Sequence, residues 1–389
     1  MKTNILLIAI IFGFLGSYAQ NLNDLSFGTD STFEVLTWNI EWFPKNGQTT
    51  VDYVYQIIEN LDIDVIAIQE IDDTIMFQQM INSLHSIGYE GYYYSSYFAG
   101  LAYIYKTETV EINDIYEIYT TYPYWSPFPR SPMVMDLNYN GENIFVINNH
   151  LKCCGDGTLN TNDEDDEENR RYIAANLLKE YIDDNFHNKN VIVVGDMNDE
   201  ITDPTYNNVF QNILNDTENY LFADMDIATG NSNNWSYPSW PSHLDHILIT
   251  KELFDEFENE SSEIQTIKID DYLSGGFSTY DNNISDHRPV GIKFAPNYNT
   301  NINKLDNQNY FNSYPNPAKS IIYFQFTKLE ENSKIEIYNI QGQKIISEDI
   351  INGTSTHLLN IEKLESGIYF AKLLSRNQQI GITKIIISK

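Results

Sequence analysis

The sequence predicts a layered α/β domain followed by a small all-β domain. Between residues 33 and 294 apolar strand-like runs alternate with helical patterns, whereas residues 310–389 carry strand signals alone. The length agrees: 389 residues exceed one average domain and suit one large domain plus a smaller one.

The N-terminus, "MKTNILLIAIIFGFLGSYAQ", sets Lys2 ahead of an apolar run from Ile5 to Gly16, followed by Ser17, Tyr18 and Ala19. The run is too short to span a bilayer and reads as a secretory signal over 1–19, cleaved after Ala19. Expected strands follow in "FEVLTWNIEW", "DVIAIQE", "GLAYIYK", "SPMVMDL", "NIFVINNHL", "NVIVVGDMN", "LDHILIT" and "PVGIKF". Helical spacing marks "VDYVYQIIENL" and "NRRYIAANLLKEYIDDN", the second with Ile173, Leu177, Leu178 and Ile182 on one face. The Asn-rich stretch "APNYNTNINKLDNQN" lacks apolar periodicity, which puts a linker at 298–309 between a domain at 28–297 and a tail at 310–389. In the tail "IIYFQF", "KIEIYNIQGQKIIS", "GIYFAKLL" and "TKIIIS" are separated by turn residues, as in a small β-sandwich.

Net charge is −32 and unevenly placed. The tail holds 9 basic and 7 acidic residues, leaving 14 against 48 for residues 1–309. Such a surface repels nucleic acid and anionic lipid unless cations intervene. The two cysteines, Cys153 and Cys154, are neighbours. They can close only a strained, easily reduced ring, so two thiols are the preferred reading over a vicinal disulfide.

Several strands are apolar along their length and polar at one end. "TWNIEW" puts Asn39 and Glu41 on one face, with Trp38, Ile40 and Trp42 on the other. Glu70 ends another strand, "INNHLK" delivers His150 and Lys152, and "GDMND" delivers Asp196, Asn198 and Asp199. "SHLDHILI" sets His243 and Asp245 on the face of Ile247 and Ile249, and "SDHRPV" places Asp286 and His287 just ahead of a strand. Each has a structural explanation when taken singly, as a turn former or a solvated strand end. Together, carboxylates and an amide at strand ends suit a hard divalent cation such as magnesium, with histidines supplying proton transfer. No Cys or His spacing resembles a zinc site.

In this order "TWNIEWF", "IQE", "PRSP", "NNHLK", "GDMND", "LDHIL" and "SDHRPV" resemble the endonuclease/exonuclease/phosphatase superfamily over residues 33–294. The resemblance implies a four-layer αββα sandwich and hydrolysis by in-line attack of water on phosphorus, with magnesium as cofactor and manganese or calcium as alternatives. It implies Glu70 as principal metal ligand, with Asn39 and Asp286 near the metal. Asp196 and Asn198 would orient the water and hold the phosphate, His150 and His287 would flank the scissile group, Asp245 would fix the His287 tautomer, and Arg130 would bind phosphate. The general base is Asp196 or a histidine.

"NHLKCCGDG" followed by "RRYIAANLL" is closer to the secreted bacterial nucleases of that superfamily than to its lipid-acting members, although those nucleases more often carry Ser or another small residue where Cys153 stands. Lys152, Arg170 and Arg171 are candidates for flanking phosphates, with solvated positions at a helix start as the competing reading. The run Asp163 to Glu168 reads as solvated rather than calcium-binding, and "GYYYSSYF" and "YTTYPYWSPFPR" as loop packing rather than base stacking. The tail elements "YPNPAKS", "IQGQK" and "SGIYF" resemble the C-terminal sorting domain of type IX secretion substrates, which implies the type IX machinery as partner and export through the periplasm and outer membrane. The leading expectation is a secreted nuclease cutting DNA, with RNA as a further substrate. The alternatives are a phosphatase or phospholipase-type phosphodiesterase, and a catalytically silent surface binding protein.

Overall fold

The computed structural model describes residues 21–95, 98–295, 311–326, 333–351, 353–375 and 378–389. The expected signal peptide and linker lie outside them. The chain forms two compact units, Met1–Asn297 and Tyr298–Lys389.

The first unit starts with β1 (Phe33–Phe43), β2 (Val65–Ile71), β3 (Tyr89–Tyr92) and β4 (Gly100–Lys106) in one sheet. It continues with β5 (Val110–Glu117), β6 (Met133–Tyr139), β7 (Glu142–His150), β8 (Asn190–Asp196), β9 (Tyr220–Phe222) and β10 (Asp245–Thr250) in a second. β11 (Glu263–Thr266) and β12 (Val290–Phe294) return to the first. The strand orders are β11-β12-β1-β2-β4-β3 and β5-β6-β7-β8-β10-β9. Among the described residues of this unit, β1 with β2 and β7 with β8 run parallel and the other strand pairs antiparallel.

Period-two alternation sorts each central strand between two cores. On β1, Leu36, Trp38 and Ile40 pack beneath helices α1 (Gln48–Leu61) and α2 (Thr74–Leu84), while Val35 joins Val65, Val146, Val194 and Ile247 between the sheets. On β8, Val191 and Val193 meet α3 (Glu167–Asn185), and Ile192 and Val194 face inward. Helix, sheet, sheet and helix make the expected αββα sandwich.

Helices α2 and α3 differ from the sequence reading. On α3, Ile173 is exposed and the buried face is Arg171, Ala174, Ala175, Leu178 and Ile182, because small residues let the helix approach the sheet closely. α2 is absent from the elements expected above, although Asp73 caps it by accepting from the Ile75 and Met76 N–H groups.

Polar side chains also cross between the sheets near the strand ends. Gln69 Nε2 donates to Asn148 Oδ1 at 2.7 Å, and Asn148 Nδ2 donates to the carbonyls of Ile68 and Ala102. The Tyr103 hydroxyl accepts from Asn148 N–H and lies 2.8 Å from the carbonyls of Met133 and Val146.

The second unit pairs a three-stranded sheet, β13 (Phe311–Tyr314), β14 (Ile321–Phe326) and β17 (Thr356–Asn360), with a four-stranded one. The latter contains β15 (Ser333–Asn339), β16 (Lys344–Ile350), β18 (Gly367–Ser375) and β19 (Gln378–Ile387). Ile322, Phe324, Ile335, Ile337, Leu359 and Leu373 fill its core. All its strand pairs are antiparallel, as expected of a small all-β domain.

A buried acid pair gives the first unit a testable pH dependence. Glu34 N–H donates to Asp64 at 3.1 Å, and the Thr32 and Thr109 hydroxyls donate to the two carboxylates. Burial, reinforced by Asp64, pushes Glu34 from 4.5 to about 8, and burial raises Asp64 as well. A carboxyl whose folded value is raised contributes stability below its unfolded value and loses it as pH rises through the folded one. Thermal unfolding between pH 4.5 and 8 should therefore show Glu34→Gln gaining on the wild type as pH rises, by at most about 1.4 kcal/mol per pH unit. Parallel stability curves would remove this account.

Candidate active site

The strand orders bring the ends of β1 and β2 in one sheet opposite those of β7, β8 and β10 in the other. His150 pairs with Asp196 across the parallel β7 and β8, and Asp245 pairs with Asp196 across β8 and β10. Asp286 and His287 arrive just before β12. A cleft of about 620 Å³ opens there, lined in part by Asn39, Glu70, His150, Asp196, Asn198 and His287.

Local backbone explains how these side chains meet. Gly195 has φ +148°, and a Cβ there would lie 2.0 Å from the Asn149 carbonyl oxygen, so glycine alone lets β8 pass β7 closely before delivering Asp196. Glu41, Trp42, Glu70 and Asn198 all have positive φ, a concentration of strained backbone at the cleft. The turn at Glu41 and Trp42 breaks the alternation of β1. Trp42 is therefore half exposed against Phe98, and Phe43 fills the buried position instead. The loop before β12 is tied to β1: Ser285 Oγ donates to the Asn39 carbonyl at 2.7 Å and accepts from His287 N–H. Trp38 Nε1 donates to Tyr280, whose hydroxyl donates to the His287 carbonyl at 2.6 Å.

At the centre, Asn39 Nδ2 donates to Glu70 Oε1 at 3.2 Å and to Asp196 Oδ2 at 3.0 Å, while its oxygen accepts from Glu41 N–H. In this arrangement Asn39 braces two carboxylates with its amide nitrogen. Trp42 N–H donates to the other Glu70 oxygen at 3.0 Å. His150 Nε2 lies 3.7 Å from Glu70 and 3.6 Å from Asp196. His287 Nδ1 is 2.7 Å from Asp245, and its Nε2 is 3.8 Å from Asp196 and 4.0 Å from Asp286.

The two histidines carry different charge. Burial opposes the His287 imidazolium, but Asp245 and Asp196 outweigh it and hold the group at about 10. Burial holds His150 well below the usual imidazole value, reinforced by the charges of Arg130 and His287, so His150 is neutral near pH 7. Burial pushes Asp196 up to about 7, with His287 opposing and Asp245 reinforcing the rise.

The remaining expected residues are placed less uniformly. Asn198 N–H donates to Asp196 Oδ1 at 3.0 Å, and its amide donates to the Leu151 carbonyl. Arg130 is half-buried, and among the described residues it makes no hydrogen bond or ion pair. Lys152 Nζ donates to the Cys153 carbonyl at 2.8 Å and lies 3.9 Å from Glu167. Arg171 is buried and committed to Glu168, Asp199 and the carbonyls of Lys152 and Cys154, while Arg170 donates to the Ser126 carbonyl. The aromatic stretches divide, with Phe128 buried and Tyr94, Phe98, Tyr122 and Trp125 exposed.

His243 does not share the face of Asp245. It precedes β10 and turns to Asp224, a residue that no motif marked. Its Nδ1 accepts from Ser236 N–H, so its proton sits on Nε2, facing Asp224 at 3.0 Å, and the ring has no lone pair for a cation. His246, completely buried, has Nδ1 2.6 Å from Asp224 and Nε2 2.9 Å from the Asp199 carbonyl. Two acceptors on one ring require both protons, which makes His246 an imidazolium paired with Asp224 beneath the Asp196–Asp199 turn.

The donor set of the cleft fits a hard divalent cation. Glu70, Asp196 and Asp286 bring three carboxylates to the one cleft, and His150 Nδ1 and Asp245 Oδ1 are buried with no hydrogen-bond partner among the described residues.

Residues 36–287 match the model of the Endonuclease/Exonuclease/phosphatase family, and residues 312–388 match that of the Secretion system C-terminal sorting domain. Among solved structures, TDP2 of D. rerio complexed with a single strand DNA product is similar at 13% identity and a TM-score of 0.50, over 68% of this chain and 99% of that one. The human Nocturnin catalytic domain with bound sulfate is similar at 15% identity and 0.48, over 68% and 94%. An endonuclease/exonuclease/phosphatase from Bacteroides vulgatus is similar at 16% identity and 0.47, over 68% and 98%. At such identities the likeness concerns the fold. No curated protein matches the chain. Among the described residues no helix is long and apolar enough to cross a membrane, and the sorting domain indicates export to the cell surface or secretion. The chain belongs to the Endonuclease/Exonuclease/phosphatase family of divalent-metal-dependent phosphoesterases.

Proposed function

We propose that the protein is an exported, magnesium-dependent phosphodiesterase that hydrolyses nucleic acid, DNA foremost. The observation that carries this reading is the cluster in which Asn39 joins Glu70 to Asp196 while His150 and His287 flank the same carboxylate. A fold neighbour with a bound single strand DNA product supports the substrate class.

Glu70 and Asp286 would hold the cation, with Asn39 keeping the Glu70 carboxylate in position. The chemistry supplied there would be polarisation of a phosphoryl oxygen and charge stabilisation at the leaving alkoxide. Asp196, set near neutrality by burial, takes the proton of the attacking water, and Asn198 N–H fixes its other oxygen. His287 keeps its Nδ1 proton on Asp245 and donates from Nε2 to the phosphoryl oxygen, where its positive charge meets the developing negative charge. Neutral His150 lies 3.6 Å from the same Asp196 oxygen. Arg130, without a hydrogen bond among the described residues, and Lys152, bonded to the Cys153 carbonyl and 3.9 Å from Glu167, meet flanking phosphates. Passage through the type IX machinery after removal of residues 1–19 completes the route out of the cell.

The acidity of residues 1–309 favours a second reading, a small phosphate ester or phospholipid head group, because dedicated DNA binders are usually basic. Purified protein should nick supercoiled plasmid with magnesium, and chelator should abolish the reaction. Turnover of a monoester or phospholipid without nicking selects the second reading, and no cutting with magnesium, manganese or calcium discards the first.

Glu70→Ala, Asp196→Asn and His287→Ala should each lower kcat by about 10²–10⁴-fold, with far-ultraviolet circular dichroism unchanged. Near-normal rates in any of the three would refute its assigned role.

A further inference from the structure

Both cysteines line the same cleft as Asn39, Glu70, His150, Asp196 and His287. Their sulfurs lie 2.9 Å apart, Cys154 is exposed, and Cys153 is half-buried. The chain has no other cysteine, so neither has a competing partner within the molecule. The loop is held at both ends by one side chain: Arg171 Nη1 donates to the Lys152 carbonyl at 2.7 Å and the Cys154 carbonyl at 2.8 Å. Cys154 already has φ +70°, and Lys152 Nζ lies 3.9 Å from the Cys153 sulfur.

We propose that Cys153 and Cys154 form a redox-modifiable dithiol in the wall of the cleft, closed to a vicinal disulfide by an oxidant of the disulfide class and reopened by thiols. One cysteine thiolate attacks a sulfur of the oxidant, forming a mixed disulfide and releasing one thiol. The neighbouring thiolate displaces the oxidant's second thiol from that mixed disulfide. Two cysteine protons and the oxidant's disulfide bond are exchanged for one protein disulfide and two free thiols. Closure outruns capture of a second oxidant because the second sulfur is already in contact with the first. Consecutive Cα atoms are about 3.8 Å apart, short of the ~4.4 Å at the lower end for disulfides, so the ring is strained. Strain makes it readily reduced, which suits a reversible element in an exported protein that meets oxidising surroundings. Its location ties redox state to the space beside His150, since Leu151 N–H is anchored on the Asp196 carbonyl at 3.0 Å.

The test treats the reduced full-length protein with oxidised glutathione and reads intact mass and iodoacetamide labelling. The expected product is lighter than the reduced chain by two hydrogens, carries no glutathione, resists labelling and returns to the reduced mass with dithiothreitol. Cys154→Ser, which lacks the resolving thiol, should stop at one glutathione adduct. A wild-type chain that retains both thiols, or that stops at one or two adducts, overturns the proposal. Reduced and oxidised protein should also differ several-fold in KM for plasmid, a difference absent from the Cys153→Ser/Cys154→Ser double variant. Equal KM values overturn the placement of the pair in the substrate path. This second readout rests on the phosphodiesterase reading, so a chain that cuts no nucleic acid removes that reading and leaves the mass result standing.

Discussion

Two sheets must remain in register while burying polar groups at one end of their interface, and the site is built from that seam. Along most of its length the interface is aliphatic, with Val35, Val65, Val146 and Ile192 in mutual contact. Aliphatic packing is non-directional and tolerates sliding. Gln69, Asn148 and Tyr103 are not tolerant. Each is completely buried, and an orphaned buried donor or acceptor costs about 1–3 kcal/mol. The bond between Asn39 on β1 and Asp196 on β8 belongs to the same seam, one step nearer solvent. The geometry of the cleft and the registration of the sheets are thus one arrangement, and moving either sheet would separate Glu70 from Asp196.

The electrostatics of the cleft follow from the same packing. His150 and His287 lie against the same Asp196 oxygen, yet one is held neutral and the other charged. Partners decide the difference: His287 has Asp245 on its Nδ1, whereas the Nδ1 of His150 has no partner among the described residues. A second imidazolium, His246, sits on the far side of β10 and holds the Asp199 carbonyl. Arg171 holds the Asp199 carboxylate. The turn that presents Asp196 and Asn198 is therefore clamped by two buried cations, which accounts for two acidic residues in so short a segment without repulsion dominating. For an acidic domain this matters, because a phosphate ester is an anion: buried positive charge such as that of His287 offsets locally the repulsion of the surface.

Elements with an uninterrupted apolar run, such as β4 and β8, were legible in the sequence at their observed positions. Those with mixed composition were not: β5, "VEINDIYE", is an edge strand with a register shift and mostly part-exposed side chains, and α2 carries only four buried side chains. Trp42 and Ile173 were misplaced for a common reason. Periodicity assumes unbroken local geometry, whereas β1 turns at Glu41 and the sheet contact of α3 is set by Ala174 and Ala175. The candidate site residues were marked by their positions at strand ends. Asp224, His246, Gln69 and Asn148 were not, because a buried polar residue, in a strand or just beyond one, has no local signature that separates it from a solvated one.

By itself the sequence determined the alternation of strands and helices, the division into an acidic first unit and a β-rich tail, and the identity of the carboxylates and imidazoles at strand ends, since these depend on composition and local period. Tertiary structure alone decided which of those groups meet, which nitrogen of each histidine carries a proton, and that Arg171 is a buried clamp rather than a free cation. Protonation and pairing depend on neighbours up to hundreds of residues away along the chain. Asn39 meets Asp196 only because the sheets close on one another, and Trp38 meets Tyr280 only because a distant helix packs on the outer face of the first sheet.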